Sequence, residues 1–198
     1  DKQRRLGVVM DPIDHIKPYK DTTLALMLAA QARGWSLHYL EMHDLSLRDG
    51  MALGRARGVK VFDDKQHWFD FTGAPETLKL GELDAILMRK DPPFDLEYVT
   101  ATYILERAET QGALVANKPS SLRDCNEKMF TAWFPQCTPP TLFSRDMATL
   151  RAFHAEHGDV IYKPVDGMGG QGIFRVGADR MNLGAVLEQL TNNGQTTI

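Results

Sequence analysis

The residues most suggestive of chemistry lie in the stretch VIYKPVDGMGGQGIFRV, residues 160–176. Four of the six residues 167–172 are glycines, and apolar runs lie on both sides of them. Glycine in such a place costs conformational entropy and packing. A common reason to accept that cost is a backbone that must approach a phosphate group closely. Lys163 lies just before the loop, within the apolar run that leads into it.

Three familiar phosphate-binding loops can be compared with this stretch. The glycines match GxGxxG, but a dinucleotide-binding loop continues into a helix, whereas an apolar strand pattern follows here. A P-loop would have Lys-Ser/Thr where this chain has Ile173-Phe174. A strand–loop–strand flap resembles that of protein kinases, yet their lysine follows the flap, and no lysine follows Lys163. A glycine-rich hairpin without a ligand is the remaining alternative.

Composition excludes several classes of protein. The 198 residues are 43% hydrophobic and 25% charged, which is typical of a globular chain. A net charge of −3 argues against a general nucleic-acid or membrane-surface binder. No apolar run approaches the roughly 18 residues of a membrane span, and the first residues do not form a signal peptide. Two cysteines are too few for a disulfide framework, so we expect a reducing, cytoplasmic compartment.

The first half of the chain reads as a parallel α/β domain. Short apolar runs predict strands over 6–10, 36–42, 83–89 and 113–117, and helices are predicted over 21–34 and 95–112. Asp49-Gly50 predicts a hairpin turn within 45–62. The β-α-β order of these elements predicts a parallel sheet.

The second half reads as α+β with antiparallel strands. We predict helices over 124–134, 146–157 and 181–192, and strands over 141–144, 159–163 and 172–176. A capping box from Asp124 to Glu127 would start the first helix. The spacing of His154 and His157 could hold a metal on a helix face, but an exposed helix end is the preferred interpretation. A boundary near residue 119 divides the chain into domains 1–119 and 120–198.

Several segments together carry a family resemblance. VMDP (9–12), LMRKDPPFD (87–95), NKPSSLRDCNEKMFTAWF (117–134) and KPVDGMGGQGIFR (163–175) occur in order along nearly the whole chain. They resemble prokaryotic glutathione synthetase, a member of the ATP-grasp superfamily. The resemblance implies an N-terminal parallel α/β (pre-ATP-grasp) domain followed by the α+β lid subdomain of an ATP-grasp fold.

The resemblance implies an activity. The family joins γ-glutamylcysteine to glycine through an acyl phosphate, with ATP and Mg²⁺ (Mn²⁺ is a possible substitute), commonly as a cytoplasmic tetramer. It runs on for more than a hundred residues beyond this point, so we expect the C-terminal ATP-grasp subdomain, with its metal ligands, to lie outside this chain, and the 198 residues alone to be inactive.

The resemblance also assigns residues. It implies that two lysines and the loop bind the nucleotide: Lys128, Lys163, Gly167, Met168, Gly169, Gly170, Gln171 and Gly172. Arg89 and Asp91 follow a predicted strand, and Asp11 follows another, at the sheet edge where open α/β sheets bind ligands. We expect these three side chains to bind the dipeptide substrate, with Arg89 clamping a carboxylate.

Two other functions stay open at this point. One is another ATP-grasp carboxylate–amine ligase, and the other is a nucleotide-binding module without catalysis. A pure interaction domain would leave the glycine-rich loop unexplained. No catalytic group and no metal ligand is identified in the chain itself, and Cys125 and Cys137 have no activating motif around them.

Overall fold

The computed structural model describes residues 2–198 and contains two compact units, one ending at Asp124 and the next beginning at Cys125. The predicted boundary near residue 119 falls at the start of a short helix, α3 (Pro119–Asp124), which packs against the preceding helix of the first unit. No helix within residues 2–198 has the length and apolar character that crossing a bilayer requires.

The first unit is an eight-stranded sheet with helices on its faces. Its strands are β1 (Arg5–Val9), β2 (Ser36–Leu40), β3 (Leu45–Arg48), β4 (Met51–Val61), β5 (Phe69–Phe71), β6 (Glu76–Lys79), β7 (Ala85–Met88) and β8 (Leu114–Ala116). Its longer helices are α1 (Thr22–Ala32) and α2 (Leu96–Thr110), and short 3-10 helices span Ile13–His15, Met42–Asp44 and Leu80–Glu82.

The centre of this sheet is parallel. The main strand order is β3-β4-β2-β1-β7-β8, and the pairs β2-β1, β1-β7 and β7-β8 are all parallel. Strand β4 extends the sheet with antiparallel pairing to β2, β3, β5 and β6. The predicted α/β class and parallel core are confirmed, whereas β5 and β6 were not predicted.

Alternate residues of the central strands face two separate cores. Val8 and Met10 pack with α1 on one face, whereas Val9 and Met88 pack with α2 on the other. Because both faces of a parallel sheet are covered, its strands are apolar throughout. This three-layer arrangement leaves the carboxyl ends of the strands open at one edge.

Local signals fix where the helices begin. The side chain of Asp21 accepts a hydrogen bond from the amide of Leu24 at 2.7 Å, and that of Asp95 accepts one from Tyr98 at 2.9 Å. Each aspartate caps the first turn of its helix. At the predicted hairpin turn, Asp49 and Gly50 have φ of 50° and 77°, the positive values that a type I′ turn needs.

The second unit is smaller and built on one antiparallel pair of strands. Its elements are α4 (Met147–His157), β9 (Val160–Tyr162), β10 (Phe174–Val176) and α5 (Leu183–Leu190), preceded by 3-10 helices at Met129–Trp133 and Pro135–Cys137. The predicted antiparallel strands are therefore confirmed.

Two predicted elements of the second unit are wrong. There is no α-helix over 124–134, because Asp124 is the last residue of α3 and only a 3-10 helix follows. There is no strand over 141–144: Ser144 makes a single reciprocal backbone pair with Ile198 and no ladder forms.

His154 belongs to the core of the second unit and not to an exposed helix end. Its side chain is fully buried; Nδ1 lies 3.0 Å from the Tyr162 hydroxyl and Nε2 lies 3.1 Å from the carbonyl oxygen of Gly177. The imidazole thus ties α4 to the ends of β9 and β10. His157 is exposed, as predicted.

The packing of β4 gives a stability prediction. A Cβ atom added at Gly54 would lie 2.5 Å from Leu40 Cδ2 and 2.7 Å from Leu80 Cδ2, both in the core. We expect Gly54→Ala to lower the free energy of unfolding by about 1–3 kcal/mol, since overpacking a core forces side chains to move. Urea unfolding measures the change.

Gly73→Ala is the matched control. A Cβ at Gly73 would meet nothing within 4 Å, and its φ lies outside the positive range that disfavours side chains. We expect this variant to be at least as stable as the parent chain, because alanine there restricts the unfolded state without a clash in the folded one. Equal losses of stability in the two variants would contradict the packing described for Gly54.

Candidate functional site

The glycine-rich loop joins β9 to β10 and contains a tight turn. The amide of Gln171 donates to the carbonyl oxygen of Met168 at 3.2 Å. The two residues between them, Gly169 and Gly170, have φ of +64° and +79°. Side chains rarely adopt these values, so glycine is required by the turn itself.

The base of the loop closes around the ring of Pro164. A Cβ at Gly167 would lie 2.6 Å from Pro164 Cγ, and one at Gly172 would lie 3.3 Å from the same atom. Gly167 and Gly172, at the two ends of the loop, therefore leave room for the proline ring between them. Hence the four glycines serve two local purposes, a left-handed turn at the tip and close approach at the base.

The side chain of Lys128 holds the first arm of the loop. Its ammonium group donates to the carbonyl oxygen of Gly167 and, at 3.4 Å, to that of Val165. It also lies 3.1 Å from the Glu127 carboxylate. The side chain is only 22% exposed, so the structure brings one of the two predicted lysines to the predicted loop.

Asn126 positions this lysine. Its side-chain oxygen accepts hydrogen bonds from the amides of Lys128 at 3.0 Å and Met129 at 2.9 Å, and its amide nitrogen donates to Val165 at 3.4 Å. The capping box predicted from Asp124 to Glu127 is wrong, since Asn126 supplies the cap instead. Short polar side chains such as asparagine commonly bind nearby backbone groups in this way.

Lys163 has a different environment. It follows the last residue of β9, Tyr162, and is exposed. Within residues 2–198 its ammonium group has no hydrogen-bond or ion-pair partner, and neither do the amides of Gly169, Gly170 and Gly172. A free cation beside free backbone donors is an arrangement that suits an anionic ligand.

At the edge of the first unit, Asp11 meets the turn that follows β7. One Asp11 carboxylate oxygen lies 2.8 Å from the Lys90 ammonium, and the other accepts a hydrogen bond from the amide of Asp91 at 2.8 Å. Strands β1 and β7 are parallel neighbours, so their carboxyl ends meet. Because both of its carboxylate oxygens have partners, Asp11 positions the turn after β7. Lys90 is the cationic side chain that Asp11 holds at this edge of the sheet.

Arg89 points to the opposite face of the sheet from Lys90. Its Nε donates to the Thr23 hydroxyl at the start of α1 at 3.0 Å, and its backbone amide donates to Val9 at 2.7 Å. Asp91 is exposed at the tip of the turn. The three predicted substrate residues therefore share one edge of the sheet, as expected for its carboxyl ends.

A pocket of about 440 Å³ opens at this edge on the α2 side. Its charged and polar lining consists of Asp11, Glu41, His43, Lys90, Glu97 and Thr100. Neither Arg89 nor Asp91 lines it. Among residues 2–198, no group of three or more His, Cys, Asp or Glu side chains is placed to hold a metal ion.

Both units match models of one family. Residues 5–123 match the N-terminal domain of prokaryotic glutathione synthetase, and residues 127–198 match the ATP-grasp domain of the same enzyme. The chain belongs to the prokaryotic glutathione synthetase family. The two matches end and begin where the structure divides into its two units.

Curated relatives agree with this membership. The chain is 60% identical over 187 residues to a glutathione synthetase of Yersinia pestis and 56% identical over 191 residues to one of Vibrio vulnificus. These matches cover 94% and 96% of this chain but 58% and 60% of the relatives. The chain therefore spans about 60% of the length of the curated relatives it matches.

Solved structures share the fold at much lower identity. D-cycloserine synthetase DcsG matches with a TM-score of 0.59 at 15% identity, over 98% of this chain and 57% of that one. The ATP-grasp ligase PsnB, in complex with a minimal precursor, Mg and ADP, matches with a TM-score of 0.53 at 19% identity, over 98% of this chain and 63% of that one. The expected ATP-grasp fold class is thus confirmed.

The contact between Asp11 and Lys90 can be tested by a double-mutant cycle. We expect Asp11→Asn and Lys90→Gln to be coupled by about 1 kcal/mol in the free energy of unfolding, because the pair is short and partly shielded from water. Urea unfolding of the parent chain, both single variants and the double variant gives the coupling energy.

The ion pair of Lys79 and Glu82 provides the control cycle. It is longer, at 3.4 Å, and both side chains are more than half exposed, so we expect a smaller coupling energy. A coupling at Asp11 and Lys90 no larger than in this control would contradict a stabilising ion pair between Asp11 and Lys90.

Proposed function

We propose that this chain carries the substrate-side and nucleotide-lid parts of an ATP-dependent ligase that joins γ-glutamylcysteine to glycine. The observation that supports this most is the family match across both units, 5–123 and 127–198. The hydrogen bonds from Lys128 to the glycine-rich loop support it independently. The free amides of that loop are the hydrogen-bond donors that a polyphosphate needs. The tetramer and the cytoplasmic location implied by the resemblance stay predictions.

In the proposed reaction the cysteinyl carboxylate of the dipeptide takes a phosphoryl group, and the glycine amine then attacks the carbonyl carbon. The new C–N bond forms as phosphate leaves. ATP would supply the phosphoryl group, which is needed because a carboxylate is a poor electrophile near neutral pH. Mg²⁺ would accompany ATP, but the described residues offer no cluster for it, and none of them is assigned to metal binding.

The second unit contributes charge and backbone donors to this proposal. The Lys163 ammonium and the free amides of Gly169, Gly170 and Gly172 would bind phosphate oxygens, and Met168 and Gln171 would lie over the nucleotide within the same loop. Lys128 would exchange the carbonyl oxygens of Val165 and Gly167 for phosphate oxygens. Closing the loop would also exclude water from an acyl phosphate that water hydrolyses.

The first unit would bind the dipeptide. Arg89 keeps its terminal guanidinium nitrogens without acceptors among residues 2–198, so it is suited to a substrate carboxylate. Asp11 would position Lys90 and Asp91 and would not contact the dipeptide itself. Asp91, which is exposed in the turn after β7, would contact the dipeptide.

ADP release by the full-length polypeptide that the gene encodes tests the proposal. We expect release to require both γ-glutamylcysteine and glycine. Lys163→Gln and Lys128→Gln should each lower kcat/KM by at least about 100-fold, as expected for cations that stabilise charge in the transition state. A coupled spectrophotometric assay for ADP measures both effects.

Lys65→Gln is the matched control, because Lys65 is an exposed lysine in a loop of the first unit. It should leave kcat/KM unchanged. ADP release that ignores glycine, or that responds equally to all three substitutions, would contradict the proposed function. Nucleotide binding without turnover would favour a binding module.

A further inference from the structure

A second cavity, of about 370 Å³, lies at the same edge of the first sheet but beside β4 and β5. It shares Glu41 and His43 with the pocket next to Lys90 and is otherwise lined by different residues. Aromatic rings line it from β2 and β5: Tyr39, Phe69 and Phe71. Nothing in the proposed ligase mechanism uses this cavity.

One wall of the cavity is cationic. Arg55 and Arg57 are two residues apart on β4, so they share one face of the strand, and both line the cavity. The guanidinium carbon of Arg57 lies 3.9 Å from the ring centroid of Phe71, and its Nε donates to the carbonyl oxygen of Gly73 at 2.9 Å. Its terminal nitrogens, and the whole guanidinium of Arg55, have no acceptor among residues 2–198. These donors are therefore available to a ligand.

The other wall is anionic. Glu41 accepts a hydrogen bond from the Tyr39 hydroxyl at 2.5 Å, and the Asp44 carboxylate accepts one from the amide of Glu41 at 2.8 Å. Burial raises the pKa of Tyr39, so this hydroxyl stays a donor that fixes the Glu41 carboxylate. Within residues 2–198 no lysine or arginine pairs with Glu41, Asp44 or Asp14; the nearby bases are His43, beside Glu41 and Asp44, and His15, 3.9 Å from Asp14.

We propose that this cavity binds an α-amino-acid group, with its ammonium at Glu41 and Asp44 and its carboxylate at Arg55 and Arg57. A simple anion would be repelled by the carboxylates, and a simple cation by the guanidiniums, whereas a zwitterion satisfies both walls. The aromatic rings suit the aliphatic part of such a ligand. A volume of about 370 Å³ lies at the small end of ligand pockets.

Two ligands carry this group. One is a free amino acid such as L-glutamate, and the other is the γ-glutamyl end of a peptide such as γ-glutamylcysteine. The peptide case rests on the proposed function, whereas the free amino acid does not. The binding experiment below includes both compounds, so it distinguishes these sources.

Titration calorimetry of the full chain with L-glutamate and with γ-glutamylcysteine tests the inference. We expect at least one of them to bind, and we expect glutarate, which lacks the ammonium, and 4-aminobutyrate, which lacks the α-carboxylate, to bind at least about tenfold more weakly. Arg55→Gln should weaken binding by about tenfold or more, because it removes charge-assisted hydrogen bonds.

Arg48→Gln is the control, since Arg48 is an exposed arginine of β3 outside the cavity. It makes the same change in net charge and should leave the dissociation constant within about twofold. Both variants should unfold at the same temperature as the parent chain, because both arginines are exposed.

Each result of the binding experiment either supports or overturns the inference. Binding of L-glutamate alone identifies a free amino acid, and binding of γ-glutamylcysteine alone identifies the peptide end. The inference is overturned if neither binds, if Arg55→Gln and Arg48→Gln behave alike, or if Lys90→Gln removes binding while Arg55→Gln does not. An inactive ligase assay with Arg55-dependent binding would overturn the proposed function and leave this site standing.

Discussion

The ammonium group of Lys128 holds the glycine-rich loop in place by donating hydrogen bonds to backbone carbonyl oxygens of the loop. Its acceptors, the carbonyl oxygens of Val165 and Gly167, are 37 and 39 residues away along the chain. A cation so placed would be costly to bury without acceptors, and the loop supplies them. Asn126 fixes the backbone beside this lysine, and Gly167 and Gly172 let the same loop approach Pro164.

The first unit is organised by a different constraint, the meeting of parallel strand ends. Because β1 and β7 are hydrogen-bonded neighbours, Asp11 and the residues after Met88 are brought together without any local sequence signal. Alternation along β7 then sends Arg89 towards α1 and Lys90 towards α2. One edge of the sheet thereby offers cations on both faces. The antiparallel strand β4 adds Arg55 and Arg57, which line the second cavity.

Sequence reasoning succeeded where the determining contacts are local. The helices predicted over 21–34 and 95–112 begin at Asp21 and Asp95, which cap them, and the predicted turn forms at Asp49-Gly50; each depends on residues within one turn of each other. The parallel core followed from short apolar runs, and the glycine-rich loop from its composition. Each of these features can be recognised in a few adjacent residues.

Features that depend on distant residues were missed. Strands β5 and β6 are short, and they exist because they pair with β4. The burial of His154 depends on Tyr162 and Gly177, which are not on its helix. Likewise, the contact of Asp11 with Lys90 joins residues 79 positions apart, so the sequence predicted a substrate-binding role for Asp11 and not this contact.

Hydrogen–deuterium exchange of the full-length polypeptide, with and without a non-hydrolysable ATP analogue, tests the central claim most directly. If the loop after Lys163 binds phosphates, the analogue should slow exchange in peptides that cover 166–173, and Lys163→Gln should abolish that protection. Unchanged exchange across 166–173 under conditions where the analogue is bound would contradict the assignment of this loop as the nucleotide lid.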